Sequence, residues 1–229
     1  MKGLNRIILA ITSLALTALA CNAVTGGEGG ADTADGPTST PSPRVLLSDD
    51  FSSQRWGTGT DADSSVEYAN DALQMIVYTG NYFVWSTPND QEYQNTHLEV
   101  TVRNNDSDST TAFGIICNQQ EVNDNFNYVA IKPDGEYAIA RAVEGETDLF
   151  LTNDDQWASS NLIPQNAPSY RVGADCGNGT LTLYVNGQQI ASVPDTTYTS
   201  GGVALFTWSG EEVNSADVSF DDFLMSELP

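Results

Sequence analysis

The sequence predicts an all-β chain, an antiparallel two-sheet jelly-roll β-sandwich, and three observations carry that prediction. From Arg44 onward apolar and polar residues alternate with period two, as in His97-Leu98-Glu99-Val100-Thr101-Val102-Arg103, where 98, 100 and 102 form one apolar face. Turn signals separate such runs: Pro133-Asp134-Gly135 divides Tyr128–Lys132 from Glu136–Arg141, and Asn186-Gly187 divides Thr180–Val185 from Gln188–Val193. No window of a dozen residues carries a 3.6-residue apolar period, which removes the helical crossovers that a parallel sheet needs.

Taken in order, Met1 to Arg6 hold two bases, and Ile7 to Ala20 form an uncharged apolar run of 14 residues, too short for a bilayer core that takes about 20 residues of helix. Residues 1–20 therefore read as a signal peptide. The run ends Ala18-Leu19-Ala20-Cys21, which resembles the lipobox of bacterial lipoproteins and makes Cys21 the lipidated N-terminus; Ala18-Leu19-Ala20 also fits an ordinary A-x-A cleavage site. A diacylated Cys21 places the protein outside the cytoplasm, anchored to a cell membrane or envelope through its acyl chains. From Asn22 to Pro43, 14 of 22 residues are Gly, Pro, Ser or Thr, so 21–43 reads as a flexible tether with a reach of roughly 25 Å.

The folded domain spans 44–229, and its strands are expected near 45–50, 66–69, 72–78, 82–87, 96–103, 111–118, 126–132, 136–142, 148–151, 169–175, 180–186, 189–194, 202–208 and 216–225. Many short strands spaced by turns over 186 residues exceed an immunoglobulin-like module and fit a jelly roll. Cys117 and Cys176 are the cysteines left after Cys21, and export places them where a disulfide persists. His97 is the single histidine, which excludes His-rich zinc sites.

Charge narrows the function. With 31 acidic residues against 8 basic ones the net charge is −23, a field that repels nucleic acid and anionic headgroups. A hydrophobic fraction of 40%, with 9% aromatic residues, excludes a disordered acidic chain and supports one sizeable core.

Leu46-Leu47-Ser48-Asp49-Asp50-Phe51, Phe113-Gly114-Ile115-Ile116-Cys117, Asn127-Tyr128-Val129-Ala130-Ile131, Asp134-Gly135-Glu136-Tyr137, Leu181-Thr182-Leu183-Tyr184-Val185-Asn186-Gly187 and Phe220-Asp221-Asp222-Phe223 together resemble the concanavalin A-like lectin and glucanase superfamily. Within it the likeness is to laminin-G-like and 3-keto-disaccharide hydrolase-like domains, and it covers nearly all of 45–229. Retaining glucanases of that superfamily carry their acids on one strand as E-x-D-x-E or E-x-D-x-x-E. Here Glu146-Thr147-Asp148 begins the pattern, but Phe150 and Leu151 stand where the second Glu belongs. Glu144, Glu146 and Asp148 are thus the catalytic candidates, set against the plainer reading of a solvated hairpin tip.

The resemblance also points to metal and sugar sites. Asp49-Asp50 and Asp221-Asp222 lie on first and last strands, which commonly pair in such sandwiches and can bind structural calcium through carboxylates and carbonyls. Their alternative role is to cap strand ends. Sugar recognition needs aromatic platforms beside polar groups. Trp157 and Trp208 in loop-like contexts, with Tyr128, Arg141 and Tyr82, are the ligand candidates, whereas Trp56, Phe83, Trp85 and Phe206 are read as sandwich core. The function expected is non-catalytic binding of a carbohydrate or cell-surface polymer by a lipid-anchored lipoprotein. A glycoside hydrolase and a protein-interaction module bound to a protein partner are the alternatives.

Overall fold

Alternation becomes sixteen strands, with no helix, in the described residues 42–121, 125–210 and 215–228 of the computed structural model. The expected signal segment 1–20, Cys21 and most of the expected linker 21–43 lie outside them. The strands are β1 (Val45–Asp49), β2 (Gly59–Thr60), β3 (Ser64–Ala69), β4 (Ala72–Val77), β5 (Phe83–Ser86), β6 (Thr96–Asn104), β7 (Ala112–Gln119) and β8 (Phe126–Ile131). The second half supplies β9 (Glu136–Ala142), β10 (Leu149–Phe150), β11 (Ala158–Ser159), β12 (Tyr170–Gly177), β13 (Thr180–Val185), β14 (Gln188–Pro194), β15 (Gly202–Trp208) and β16 (Ala216–Glu227). The two-residue strands β2 and β11 have no sequence signal of their own, since two residues cannot display a period.

Two antiparallel sheets form. The nine-stranded sheet runs β14-β13-β12-β6-β16-β4-β3-β2 with β1 also on β16, and the seven-stranded sheet runs β10-β9-β8-β7-β15-β5 with β11 on β9. The Asn186-Gly187 turn takes positive φ at both residues, 51° and 76°, which matches the strand twist and sets β13 against β14. Gly135, at φ 97°, completes the turn between β8 and β9, so that Tyr128 faces Ala140 and Ile131 faces Tyr137.

Between the sheets the inward residues of both layers make one core, with Leu98, Val100 and Val102 of β6 meeting Phe113 and Ile115 of β7, Ile131 of β8 and Ile139 of β9. Cys117 of β7 and Cys176 of β12 are bonded, with Cα atoms 6.4 Å apart, and so join the two sheets covalently. Trp56 belongs to this core, meeting Phe223 edge-on at 5.0 Å and Phe51 at 5.5 Å.

The first and last strands pair, Asp49 opposite Phe223, but the four candidate calcium ligands face different partners. Buried Asp49 accepts hydrogen bonds from Phe51 N–H at 2.9 Å and from Trp56 Nε1–H at 3.2 Å, and Asp50 accepts from the Ser52 hydroxyl. Asp221 and Asp222 sit at a register shift in β16, with Asp222 at φ 53°, and pair with Arg103 and Arg171 respectively. Among the described residues no group of three or more His, Cys, Asp or Glu gathers as a metal cage.

The outer face of the nine-stranded sheet carries a charged ladder. Asp175 of β12 accepts from Tyr184 Oη–H at 2.8 Å and meets His97 Nδ1 at 2.6 Å; His97 Nε2 lies 3.4 Å from Glu99, which in turn pairs with Arg171 at 3.2 Å. The hydrogen bond to Asp175 holds the His97 pKa above its usual value, against the opposing effect of burial, with the charges of Asp175 and Glu99 adding to it. Protonated His97 therefore stabilises the fold fully below the unfolded histidine pKa of about 6.5, and that contribution is lost as pH rises through the higher folded value. We expect His97→Gln to flatten this part of the stability–pH profile, read as the difference in Tm between variant and wild type from mildly acidic to alkaline pH. Parallel profiles would refute the linkage.

Candidate functional site

The outer face of the seven-stranded sheet is apolar where a solvated sheet would be polar. Outward positions of β7, β8 and β9 are mostly small: Ala112 and Gly114, then Ala130, then Ala138, Ala140 and Ala142. Gly114 has no alternative, because a Cβ there would lie 1.9 Å from Val129 O and 3.0 Å from the Phe206 ring. Onto this low floor four aromatic rings pack, Phe83, Phe126, Tyr128 and Phe206. Phe83 stacks on Phe206 at 4.6 Å, and Tyr128 meets Phe206 edge-on at 5.4 Å. Small residues between large ones leave a groove of about 740 Å³, within the size range of small-molecule and oligomer sites.

The walls come from segments that fold back over the sheet. β10 and β11 both pair with β9, and the 151–157 loop between them carries Trp157 onto the outer face. Asn153, Asp154 and Asp155 all adopt positive φ, a conformation tolerated by these residue types. Asp155 accepts a hydrogen bond from Phe150 N–H at 2.7 Å, and Asn153 Nδ2–H donates to Trp157 O at 2.7 Å. The Trp157 ring meets Phe150 edge-on at 5.3 Å and lies nearly parallel to Trp208 at 6.4 Å. On its other contact stands the Lys132 ammonium, 4.0 Å from the ring centre and paired with Glu136 at 2.8 Å. Trp208 Nε1–H donates to Asn81 Oδ1, which ties the second tryptophan to the start of β5.

The remaining wall is the hairpin tip between β9 and β10. Glu144 and Glu146 are exposed, and their backbone N–H groups are held by Asn125 Oδ1 and Val143 O. Asp148 is half-buried and accepts from Tyr128 Oη–H at 2.8 Å. Burial raises the Asp148 pKa above the ordinary aspartate value despite that hydrogen bond, and burial together with the neighbouring carboxylate pushes the Tyr128 phenol upward as well.

Of the sequence-derived ligand candidates, Trp157, Trp208 and Tyr128 line the groove, joined by Glu144, Glu146 and Asp148. Arg141 and Tyr82 do not. The β8–β9 register puts Ala140, not Arg141, beside Tyr128, so Arg141 points to the opposite face, where its Nη1 lies 3.2 and 3.3 Å from the two oxygens of Asp195. Tyr82 precedes β5 and packs against the inter-sheet core, its N–H bonded to Ser209 Oγ. Phe83, Trp85 and Phe206, read from sequence as sandwich core, face outward instead; Trp85 is 37% exposed and the other two are groove floor. These, with Phe126, Asn81 and Asp155, are groove residues absent from the sequence-derived ligand candidates. The signal was present in β7 and β8, whose strands AFGIIC and FNYVAI lack polar alternation, the mark of a strand covered on both faces.

No family model matches the sequence, and no curated protein does either. Solved structures do match its fold. A carbohydrate-binding module, CBM66 from Bacillus subtilis, superposes with a TM-score of 0.58 at 12% identity over 76% of this chain and 96% of that one. A Bacillus subtilis protein of unknown function with a galectin-like fold gives 0.58 at 9% identity over 80% and 96%, and the Bacillus licheniformis β-glucanase gives 0.52 at 11% over 82% and 100%. Such identities speak to architecture alone. The chain is an antiparallel two-sheet jelly-roll sandwich.

Proposed function

We propose that the protein binds a glycan in the groove of its seven-stranded sheet without cleaving it, as an extracytoplasmic lipoprotein held to the cell envelope through Cys21. The observation that carries this reading is the aromatic floor, Phe83, Phe126, Tyr128 and Phe206, flanked by the parallel Trp157–Trp208 pair and rimmed by carboxylates and the Asn81 amide. Apolar sugar faces stack on such rings, and the rim offers hydroxyl partners. Two of the structural neighbours are a carbohydrate-binding module and a β-glucanase, which supports a glycan as the ligand class.

Glycoside cleavage is the competing reading, favoured by the raised pKa of Asp148 within the groove. Retaining chemistry requires a second carboxylate about 5 Å from the first, and the acids nearest in sequence, Glu144 and Glu146, stand on the exposed hairpin tip. The outward positions of β7 and β8 are Ala112, Gly114, Ile116, Phe126, Tyr128 and Ala130. A panel of oligosaccharides offered to the purified full chain, with binding and product formation both measured, separates the readings. Saturable binding without product is expected, with Trp157→Ala and Trp208→Ala each weakening it about tenfold, the loss of roughly one ring–sugar contact. Product formation would establish the hydrolase instead, and silence across the panel would sink the glycan reading.

A further inference from the structure

The groove's charge is one-sided. Among the described residues its lining includes Glu144, Glu146, Asp148 and Asp155 and no Lys, Arg or His. Lys132, whose ammonium stands on the Trp157 ring, is 8% exposed and already paired with Glu136, so it does not balance the rim. Among the described residues the carboxylates of Glu144 and Glu146 have no hydrogen-bond or ion-pair partner, although the hairpin that bears them is fixed by Asn125 and Val143. A chain of net charge −23 stands behind them.

A neutral sugar can donate its hydroxyl hydrogens to this rim, but it brings no charge to offset the negative charge of carboxylates that lose hydration when covered. Glycans bearing uronate, sulfate or phosphate are repelled. An ammonium group has the complementary chemistry: three donors for the acceptor-only rim, and a favourable approach to the faces of Tyr128 and the tryptophans.

We infer that the ligand of this groove is an aminated glycan, a hexosamine chain with free amines, its ring faces on the aromatic floor and its ammonium groups against Glu144, Glu146 and Asp155. The inference rests on the glycan reading above and adds the charge class of the ligand.

The test compares three β-1,4-linked oligosaccharides of equal length, a glucosamine oligomer, its fully N-acetylated form and a glucose oligomer. Each is titrated calorimetrically against the full chain in mildly acidic buffer at low and high salt. The free-amine oligomer is expected to bind about tenfold more tightly than the other two, with the advantage shrinking as salt screens it. Glu144→Gln/Glu146→Gln is expected to erase most of that preference, and both residues lie on an exposed tip where the change leaves the fold intact. Equal or tighter binding of the neutral oligomers overturns the charge assignment and leaves the glycan groove standing. If no oligomer binds, the glycan reading itself falls. Wild-type affinity for the free-amine oligomer in a Trp157→Ala/Trp208→Ala variant also overturns the inference, since the attraction would then belong to the acidic surface at large.

Discussion

Arg141→Ala is expected to lower the unfolding free energy by about 3–5 kcal/mol, the usual cost of stranding one member of a buried ion pair. Asp195 has a side chain only 3% exposed, and both of its oxygens take hydrogen bonds from the Arg141 guanidinium. The Asn127 amide donates to the same carboxylate and itself accepts from Asn118, which also bonds the carbonyl of Tyr198. Without the guanidinium a carboxylate would lie buried against neutral amides, so the loss exceeds that of an ordinary surface substitution. Urea denaturation of the variant should show a lower midpoint with an unchanged slope, and Arg141→Met/Asp195→Asn should recover most of the difference because it removes both charges. A stability change within about 0.5 kcal/mol accompanied by loss of glycan binding would return Arg141 to the ligand site.

The second large effect concerns the bond between the sheets. Cys117 and Cys176 are 59 positions apart, and closing such a loop restricts the unfolded chain by about 4 kcal/mol. Cys117→Ala/Cys176→Ala should lose about that much, and wild-type protein treated with a thiol reductant should approach the same midpoint. Both sulfurs sit in the inter-sheet core, 0–1% exposed, so alanine is preferred to serine to avoid burying an unpaired hydroxyl. Midpoints that coincide with and without reductant would show that the bond contributes nothing to stability.

The architecture was legible wherever one face of a strand is wet. In β6 the inward Leu98, Val100 and Val102 alternate with His97, Glu99 and Thr101, and the turns at Gly135 and Asn186-Gly187 fall where turn chemistry placed them. Legibility failed on the seven-stranded sheet, because a strand apolar on both faces carries no period to say which side is inside. Phe83 and Phe206 were assigned to the core for that reason, although burial was correctly foreseen: Phe206 is 1% exposed while facing outward. The position of Arg141 is a different lesson. The short turn at Gly135 sets Tyr128 opposite Ala140, and that register was available in the sequence to show that Arg141 points away from Tyr128. The approach of Trp157 to Trp208 had no such signal, since it depends on a loop whose course follows from three consecutive residues at positive φ.

The covalent ring closed by the disulfide encloses everything from Asn118 to Asp175, and with it Tyr128, the Glu144–Asp148 tip and Trp157. The exposed tip is the kind of segment at which proteases nick folded domains. A single cut there would open the chain without parting it, because the two ends would stay tethered through Cys117 and Cys176 while β8 and β9 keep their pairing. The hairpin tip and the Trp157 wall thereby belong to a segment that a peptidase can score but cannot carry away.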